Sequence, residues 1–337
     1  MRVVVTGATG NVGTAVIRAL SPDPSVESVL GLARRLPTHQ VPKVGWAAAD
    51  VTADDLVPLF RGASAVVHLA WAIQPNRDLE RLRRTNVLGT ERVVRAVADA
   101  NIPALVVASS VGAYSPGPQD RPVDESWPTE GIPTSFYSRH KAAVERLLDR
   151  FEAERPEVRV VRLRPALSFQ REAAEEVRRL FIGRLVPHAL FRPGLIPVVP
   201  NVPGLRFQAV HTSDVGEAYR LALASDVRGA FNIAAEPVLD PPALGALLRA
   251  RTVRVSPRLI RFGASLTWRL RLQPTEPGWV DMALASPLMD VARARRELGW
   301  EPRRSATEAV IELLEGLRTR ASAPTPALRG GPARSDT

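Results

Sequence analysis

Five short apolar runs rich in β-branched residues, at positions 2–6, 28–32, 65–69, 104–108 and 158–163, have the length and composition of buried strands. Between them lie amphipathic stretches such as 86–100 and 137–154, long enough for helices that cross from one strand to the next. Strands alternating with crossover helices predict a parallel sheet covered on both faces. The fold class read from this pattern is α/β, a doubly wound parallel sheet of Rossmann type spanning residues 1–165.

After Pro165 the alternation gives way to stretches punctuated by Pro and Gly, notably 187–203 and 258–279. These are assigned to a smaller, discontinuous substrate-binding lobe within 166–320. Residues 210–219 and 230–233, inside a segment near 207–235, and a helix ending near Arg318 are expected to return to the main sheet. Residues 321–337, rich in Ala, Pro, Gly and Arg with nothing to bury, read as a disordered tail.

Composition narrows the chemistry. At 337 residues with 45% hydrophobic and 24% charged residues, the chain can bury a sizeable core. It has no cysteine, which excludes disulfides, a thiolate nucleophile and cysteine-ligated zinc. The five histidines, His39, His68, His140, His188 and His211, have no metal-ligand spacing, so no metal is expected. The start of the chain lacks the pattern of a signal peptide, and no apolar run reaches membrane-spanning length. A cytoplasmic location without a membrane span is expected. The net charge of +10 raises nucleic acid as a partner, but arginines alternate with acids in Glu80-Arg81-Leu82-Arg83-Arg84 and no nucleic-acid motif accompanies them. An anionic cofactor or small-molecule substrate accounts for the basic balance instead.

The first run leads into Thr6-Gly7-Ala8-Thr9-Gly10-Asn11-Val12-Gly13, followed by a helix. In a strand–loop–helix of this kind Gly7 makes the tight turn, Gly10 lets backbone amides approach a pyrophosphate, and Gly13 permits close helix packing. Beyond the second strand, where an acid would hold the ribose hydroxyls of NAD, the chain reads Ala33-Arg34-Arg35. Arginines there suit a 2′-phosphate, which favours NADP(H) and leaves NAD(H) open. Asp50 and Val51, after a third short strand, are candidates to flank the adenine, or Asp50 closes a turn.

Tyr137 and Lys141 stand four residues apart in a predicted helix and so share one face. A nearby ammonium favours the phenolate and can hold a ribose, leaving the phenol to exchange a proton with an alcohol or carbonyl. The preceding strand ends in Ala108-Ser109-Ser110, which places a hydroxyl at the edge where ligands collect in such sheets.

With the glycine loop, these residues resemble the extended short-chain dehydrogenases of the NAD-dependent epimerase/dehydratase family. The likeness extends to Val67-His68-Leu69-Ala70, Thr85-Asn86-Val87-Leu88-Gly89-Thr90, Tyr114, Arg164-Pro165, Val210-His211-Thr212-Ser213-Asp214, Phe231-Asn232-Ile233 and Glu297-Leu298-Gly299-Trp300, up to about residue 315. The resemblance implies that Tyr137 is the acid/base, Lys141 its electrostatic partner and ribose ligand, and Ser110 a donor to the substrate oxygen. Ser109 competes for that last role; Ser110 is preferred because Tyr114 follows it by four positions. Leu69 and Ala70 would line the adenosine, Pro165 and Ala166 the nicotinamide, and Asn86 would support the site.

Ser110 is followed by Val111 and Gly112, not by the Asp-Glu pair that the family's sugar-nucleotide dehydratases share, so dehydration is disfavoured. The leading expectation is an oxidoreductase that interconverts a secondary alcohol and a ketone. The alternatives are a nucleotide-sugar epimerase that retains its NAD, and a dinucleotide-binding sensor without catalysis. A homodimer is the expected assembly.

Overall fold

The computed structural model describes residues 1–74, 77–183, 185–192 and 194–329. Its strands, in chain order, begin with β1 Arg2–Thr6, β2 Ser28–Ala33, β3 Val44–Ala48, β4 Ala65–His68, β5 Ala104–Ala108, β6 Pro122–Val123 and β7 Arg159–Pro165. They continue with β8 Leu167–Phe169, β9 Val198–Asn201, β10 Phe207–His211, β11 Gly229–Ile233, β12 Ala235–Leu239, β13 Arg251–Arg254 and β14 Leu288–Met289.

Seven of them form one parallel sheet in the order β11-β7-β5-β4-β1-β2-β3. Strand polarity explains the arrangement. β1, β4 and β5 are apolar at nearly every position, so both faces must be covered. Alternate residues serve the two faces: Val3 and Val5 pack with helices Asn11–Leu20 and Thr212–Ala224, whereas Val4 packs with helices Gly89–Asp99 and Phe136–Glu154. The chain runs outward from β1 through β2 to β3 and then returns to β4 on its other side. That reversal opens a crevice beyond the carboxyl ends of β1 and β4, where ligands bind in such sheets.

The fold class is as the pattern predicts, with revisions in detail. The expected helix 86–100 begins earlier, as Leu79–Arg83, and passes through a π-turn, Arg84–Leu88, into Gly89–Asp99. Residues 207–211 do not join the main sheet: β10 pairs with β8 and β12 in a separate three-stranded sheet. The helix Ala306–Thr319 packs on that small sheet through Ala306 and Val310. β11 does return, pairing with β7 at the edge of the large sheet. Residues 321–329 are not bare of contacts: Leu328 is fully buried, and Arg179 donates to the Ala327 carbonyl at 2.8 Å. The remainder of the expected tail, 330–337, lies outside the described residues. Among the described residues no helix is long and apolar enough to cross a membrane.

Candidate active site

The glycine turn sits at the reversal point. Gly7 has φ +71°, and a Cβ there would lie 2.7 Å from the Ala70 backbone nitrogen, so any other residue is excluded by conformation and by space. A Cβ on Gly13 would fall 2.3 Å from the Gly7 carbonyl oxygen. Gly10 is different, since its nearest such contact is 3.5 Å. Packing does not demand glycine at position 10; an open approach to the first amides of the Asn11–Leu20 helix does. Those amides have no side-chain cap. This is the cradle a pyrophosphate fits.

Thr9 is buried in the turn, and Val12 packs against the core. The Asn11 side chain is committed to protein: it donates to Ser168 O at 3.0 Å and accepts from Gln170 at 2.8 Å. It therefore ties the phosphate loop to the segment after β7. Leu69 and Ala70 lie against Gly7, with the Leu69 amide donating to Thr6 O. Arg34 and Arg35 are exposed at the end of β2, whose Leu32 carbonyl accepts from the Gly7 and Ala8 amides. Among the described residues neither arginine has a polar partner, so both are free to meet an anion. Asp50 closes a turn, accepting from the Thr52 amide at 2.8 Å and hydroxyl at 2.7 Å, and Val51 is buried against Gly89. Pro165 ends β7, and Ala166 directly after it donates to Ile233 O.

The structure brings Ser110, Tyr137 and Lys141 together. Ser135 caps the Phe136–Glu154 helix, and Ser138 in its first turn donates to the Gly112 carbonyl and accepts from the Ile132 amide. The helix is thereby stapled to the Val111–Ala113 turn that follows Ser110. The Ser110 hydroxyl accepts from the Gly112 amide at 3.1 Å, and Gly112 lies against the Tyr137 ring, so the two hydroxyl-bearing side chains are neighbours. Burial raises the phenol above its ordinary value, and the Ser110 hydroxyl opposes that shift. Lys141, 3% exposed, donates to Ala108 O at 2.7 Å, and burial pulls its ammonium down to about 7.

The two serines have different partners. Ser109 donates to Glu145 at 2.5 Å, and Glu145 also holds Arg162 at 3.0 Å and Arg164 at 2.9 Å. Ser109 thus points into a buried ionic cluster, while Ser110 faces the phenol. Arg164 extends that cluster to Tyr114 at 3.0 Å, whose hydroxyl donates to Asn232 at 2.6 Å.

Asn86, fully buried in the π-turn, accepts from the Ala72 amide at 2.7 Å and donates to the Ala72 carbonyl at 2.8 Å. It holds the chain after β4 in place, a supporting contact at a local distortion of the helix. His68 is locked between Thr6 at 2.7 Å and Thr90 at 2.9 Å, and burial lowers it to about 3, so it stays neutral. His211 caps the Thr212–Ala224 helix through Ser213 and meets Glu312 at 3.1 Å. Among the described residues no group of three or more acids and histidines can hold a metal.

Several residues at the site escape a reading of the sequence. The Trp71 ring lies 3.5 Å from Lys141 Nζ and meets the Tyr137 ring edge-on at 5.9 Å. The Trp279 ring lies 4.9 Å from the Tyr137 ring at a tilt of 36°, and Phe181 meets Trp279 edge-on at 4.9 Å. The local signal for Trp71 was its place directly after Leu69-Ala70, and for Phe181 its place in the apolar pair Phe181-Ile182, which implies a greasy lobe; nothing local marks Trp279. Gly112 is a further case: a Cβ there would stand 2.8 Å from Tyr137 Cε1 and 3.1 Å from Met282 Sδ. Gly112→Ala is expected to push the phenol out of line and lower kcat about 100-fold in steady-state assays. An unchanged kcat would show that the ring position does not matter.

The sequence pattern of the NAD dependent epimerase/dehydratase family matches residues 3–234, well over half of the chain. The chain belongs to this family. As a family member it is an enzyme of the extended short-chain dehydrogenase type, working with a nicotinamide dinucleotide. It is similar to sterol-4-alpha-carboxylate 3-dehydrogenase, decarboxylating, of Saccharomyces cerevisiae, at 24% identity over 93% of this chain and 96% of that protein. It is also similar to the uncharacterized protein Rv2047c of Mycobacterium tuberculosis, at 26% identity over 95% of this chain, but it spans only 30% of that protein. Among solved structures, MoeE5 in complex with UDP-glucuronic acid and NAD shares the fold, with TM-score 0.71 and 22% identity over 95% of this chain and 100% of that one.

Proposed function

We propose that this family member is an NADP(H)-dependent oxidoreductase that interconverts a secondary alcohol and a ketone, with an apolar alcohol as substrate. The observation that carries this reading is the meeting of Ser110 and Tyr137 one helical turn from a buried Lys141, with Ser109 tied elsewhere. Tyr137 passes the proton to or from the substrate oxygen, Ser110 donates to that oxygen, and Lys141 favours the phenolate and holds the nicotinamide ribose. The nicotinamide supplies or takes up the hydride. Residues after 165, with Phe181 and Trp279 among them, form the substrate-binding lobe.

Two features support an apolar alcohol over a sugar nucleotide. The rings of Trp71 and Trp279 lie against Tyr137, with Phe181 on Trp279, and the Saccharomyces relative is by name a sterol-4-alpha-carboxylate 3-dehydrogenase. Turnover assays with hydroxysteroids and with UDP-sugars test the reading. Net formation of reduced NADP with an apolar alcohol is the expected result; interconversion of UDP-sugars without net change in the dinucleotide would establish the epimerase instead.

The unpaired arginines carry the cofactor choice. A charge-assisted bond to a 2′-phosphate contributes about 1.5–3 kcal/mol. Replacing Arg34 and Arg35 together by alanine is therefore expected to raise the KM for NADP by about ten- to a hundredfold, with the KM for NAD little changed. Equal effects on both would remove the 2′-phosphate from their role.

A further inference from the structure

Helix Pro257–Arg269 presents an outward apolar stripe. Leu259, Phe262 and Leu266 follow at helical spacing, with Leu270 one turn on, and their exposures are 61%, 64%, 45% and 60%. No residue of this helix is buried, while Ala264, Thr267 and Trp268 on its other side are half-buried. Leu272, 47% exposed, continues the stripe.

The charge around the stripe is one-sided. From position 249 to 275 the chain carries seven arginines and no acid. Arg261 pairs with Asp281 at 2.7 Å, but among the described residues the side chains of Arg251, Arg254, Arg258, Arg269 and Arg271 have no polar partner. Acids pair with arginines at other surface helices, as at Arg83–Glu80, Arg95–Glu91 and Arg293–Glu297, whereas this segment has no acid of its own. An apolar face flanked by unpaired cations is complementary to lipid headgroups that carry negative charge, with acyl chains beneath them.

We propose that this helix is a docking surface for an anionic lipid bilayer, on which the enzyme lies without spanning it. Leu259, Phe262, Leu266 and Leu270 enter the headgroup boundary, and the arginines meet the lipid phosphates. The helix is joined to the site, because Thr275 donates to Phe181 O at 2.6 Å and Phe181 rests on Trp279 beside Tyr137. Docking there brings the aromatic cleft close to the phase in which apolar alcohols dissolve. The proposal rests on the stripe and its charge, and it is tested without any assay of turnover.

The test is cosedimentation of the purified full chain with vesicles of phosphatidylcholine alone or mixed with phosphatidylglycerol. Expected is binding to the mixed vesicles, weakened by added salt, with much weaker binding to phosphatidylcholine alone. Leu259→Ser, Phe262→Ser and Leu266→Ser combined are expected to weaken binding to the mixed vesicles more than tenfold, because each removes apolar surface from the interface. These side chains are exposed, so unchanged circular dichroism and dinucleotide binding accompany the loss. Failure of the unaltered chain to bind the mixed vesicles, or equal binding by the triple variant, would overturn the proposal. So would sedimentation showing a dimer that the triple variant splits with no lipid binding by either, since the stripe would then cover a second copy of the chain.

Discussion

Replacing Tyr137 by phenylalanine is expected to lower kcat/KM about a thousandfold while fold and dinucleotide binding persist. A positioned general acid or base contributes about 10²–10⁴ in rate. The ring remains in Tyr137→Phe, so its packing against Trp71 and Trp279 survives and only the hydroxyl with its exchangeable proton is lost. Lys141→Met is expected to be as damaging, with an added weakening of dinucleotide binding. The pH dependence carries a distinct signature. In the free protein burial brings the Lys141 ammonium down to about 7, so it loses its proton as pH rises through that value. Ribose hydroxyls that accept from the ammonium favour its charged form, so dinucleotide affinity is expected to fall as pH rises above neutrality. Titration calorimetry across pH checks this, and Lys141→Met should abolish the dependence. A Tyr137→Phe enzyme that retains full kcat/KM would remove the phenol from the chemistry.

The second large effect concerns Glu145. Its side chain is 1% exposed and those of Arg162 and Arg164 are 7% and 5% exposed, so the three form a buried ionic cluster. Burial alone would raise the carboxyl, but hydrogen bonds and charge from Arg164, with Arg162 and Ser109, bring it down to about 2. Glu145→Gln keeps the shape and removes the charge, leaving the buried Arg164 guanidinium without its carboxylate, while Arg162 keeps Asp149 and Glu152. Breaking such a cluster costs about 3–5 kcal/mol. A correspondingly lower Tm in calorimetry is the expected result, with a fall in kcat as Ser109 and the end of β5 loosen beside Ser110. The sign with pH follows from the lowered value. The stabilisation is complete above the ordinary carboxylate range and is lost as pH falls towards 2. A loss under about 1 kcal/mol would show that the arginines find other partners, above all Asp149, which Arg162 already holds at 2.6 Å.

What could be read in the sequence was what local periodicity controls. Helical spacing alone put Tyr137 and Lys141 on one face, and the strand–glycine–helix context gave the phosphate turn. Ser109 and Ser110 follow the end of β5, and the spacing to Tyr114 that favoured Ser110 does not say which way either side chain faces. That depended on Glu145, 36 residues further on. The aromatic wall was invisible for the same reason: Trp71, Phe181 and Trp279 meet only because distant segments converge. The π-turn at Arg84–Leu88 leaves the hydrophobic pattern nearly unchanged while it aims Asn86 at Ala72. The sequence segment 258–279 was marked only by its Pro and Gly punctuation; the packing shows that the helix Pro257–Arg269 within it turns an apolar side outward.

The most direct test of the account is a crystal structure of the enzyme with oxidised NADP. The account predicts the pyrophosphate on the amides after Gly10, the 2′-phosphate at Arg34 and Arg35, and Lys141 Nζ within hydrogen-bonding distance of the nicotinamide ribose. The Tyr137 hydroxyl should face the C4 edge of the ring beside Ser110. A nicotinamide bound away from Tyr137, or a Tyr137 hydroxyl turned from the ring with Ser110 remote, would contradict it.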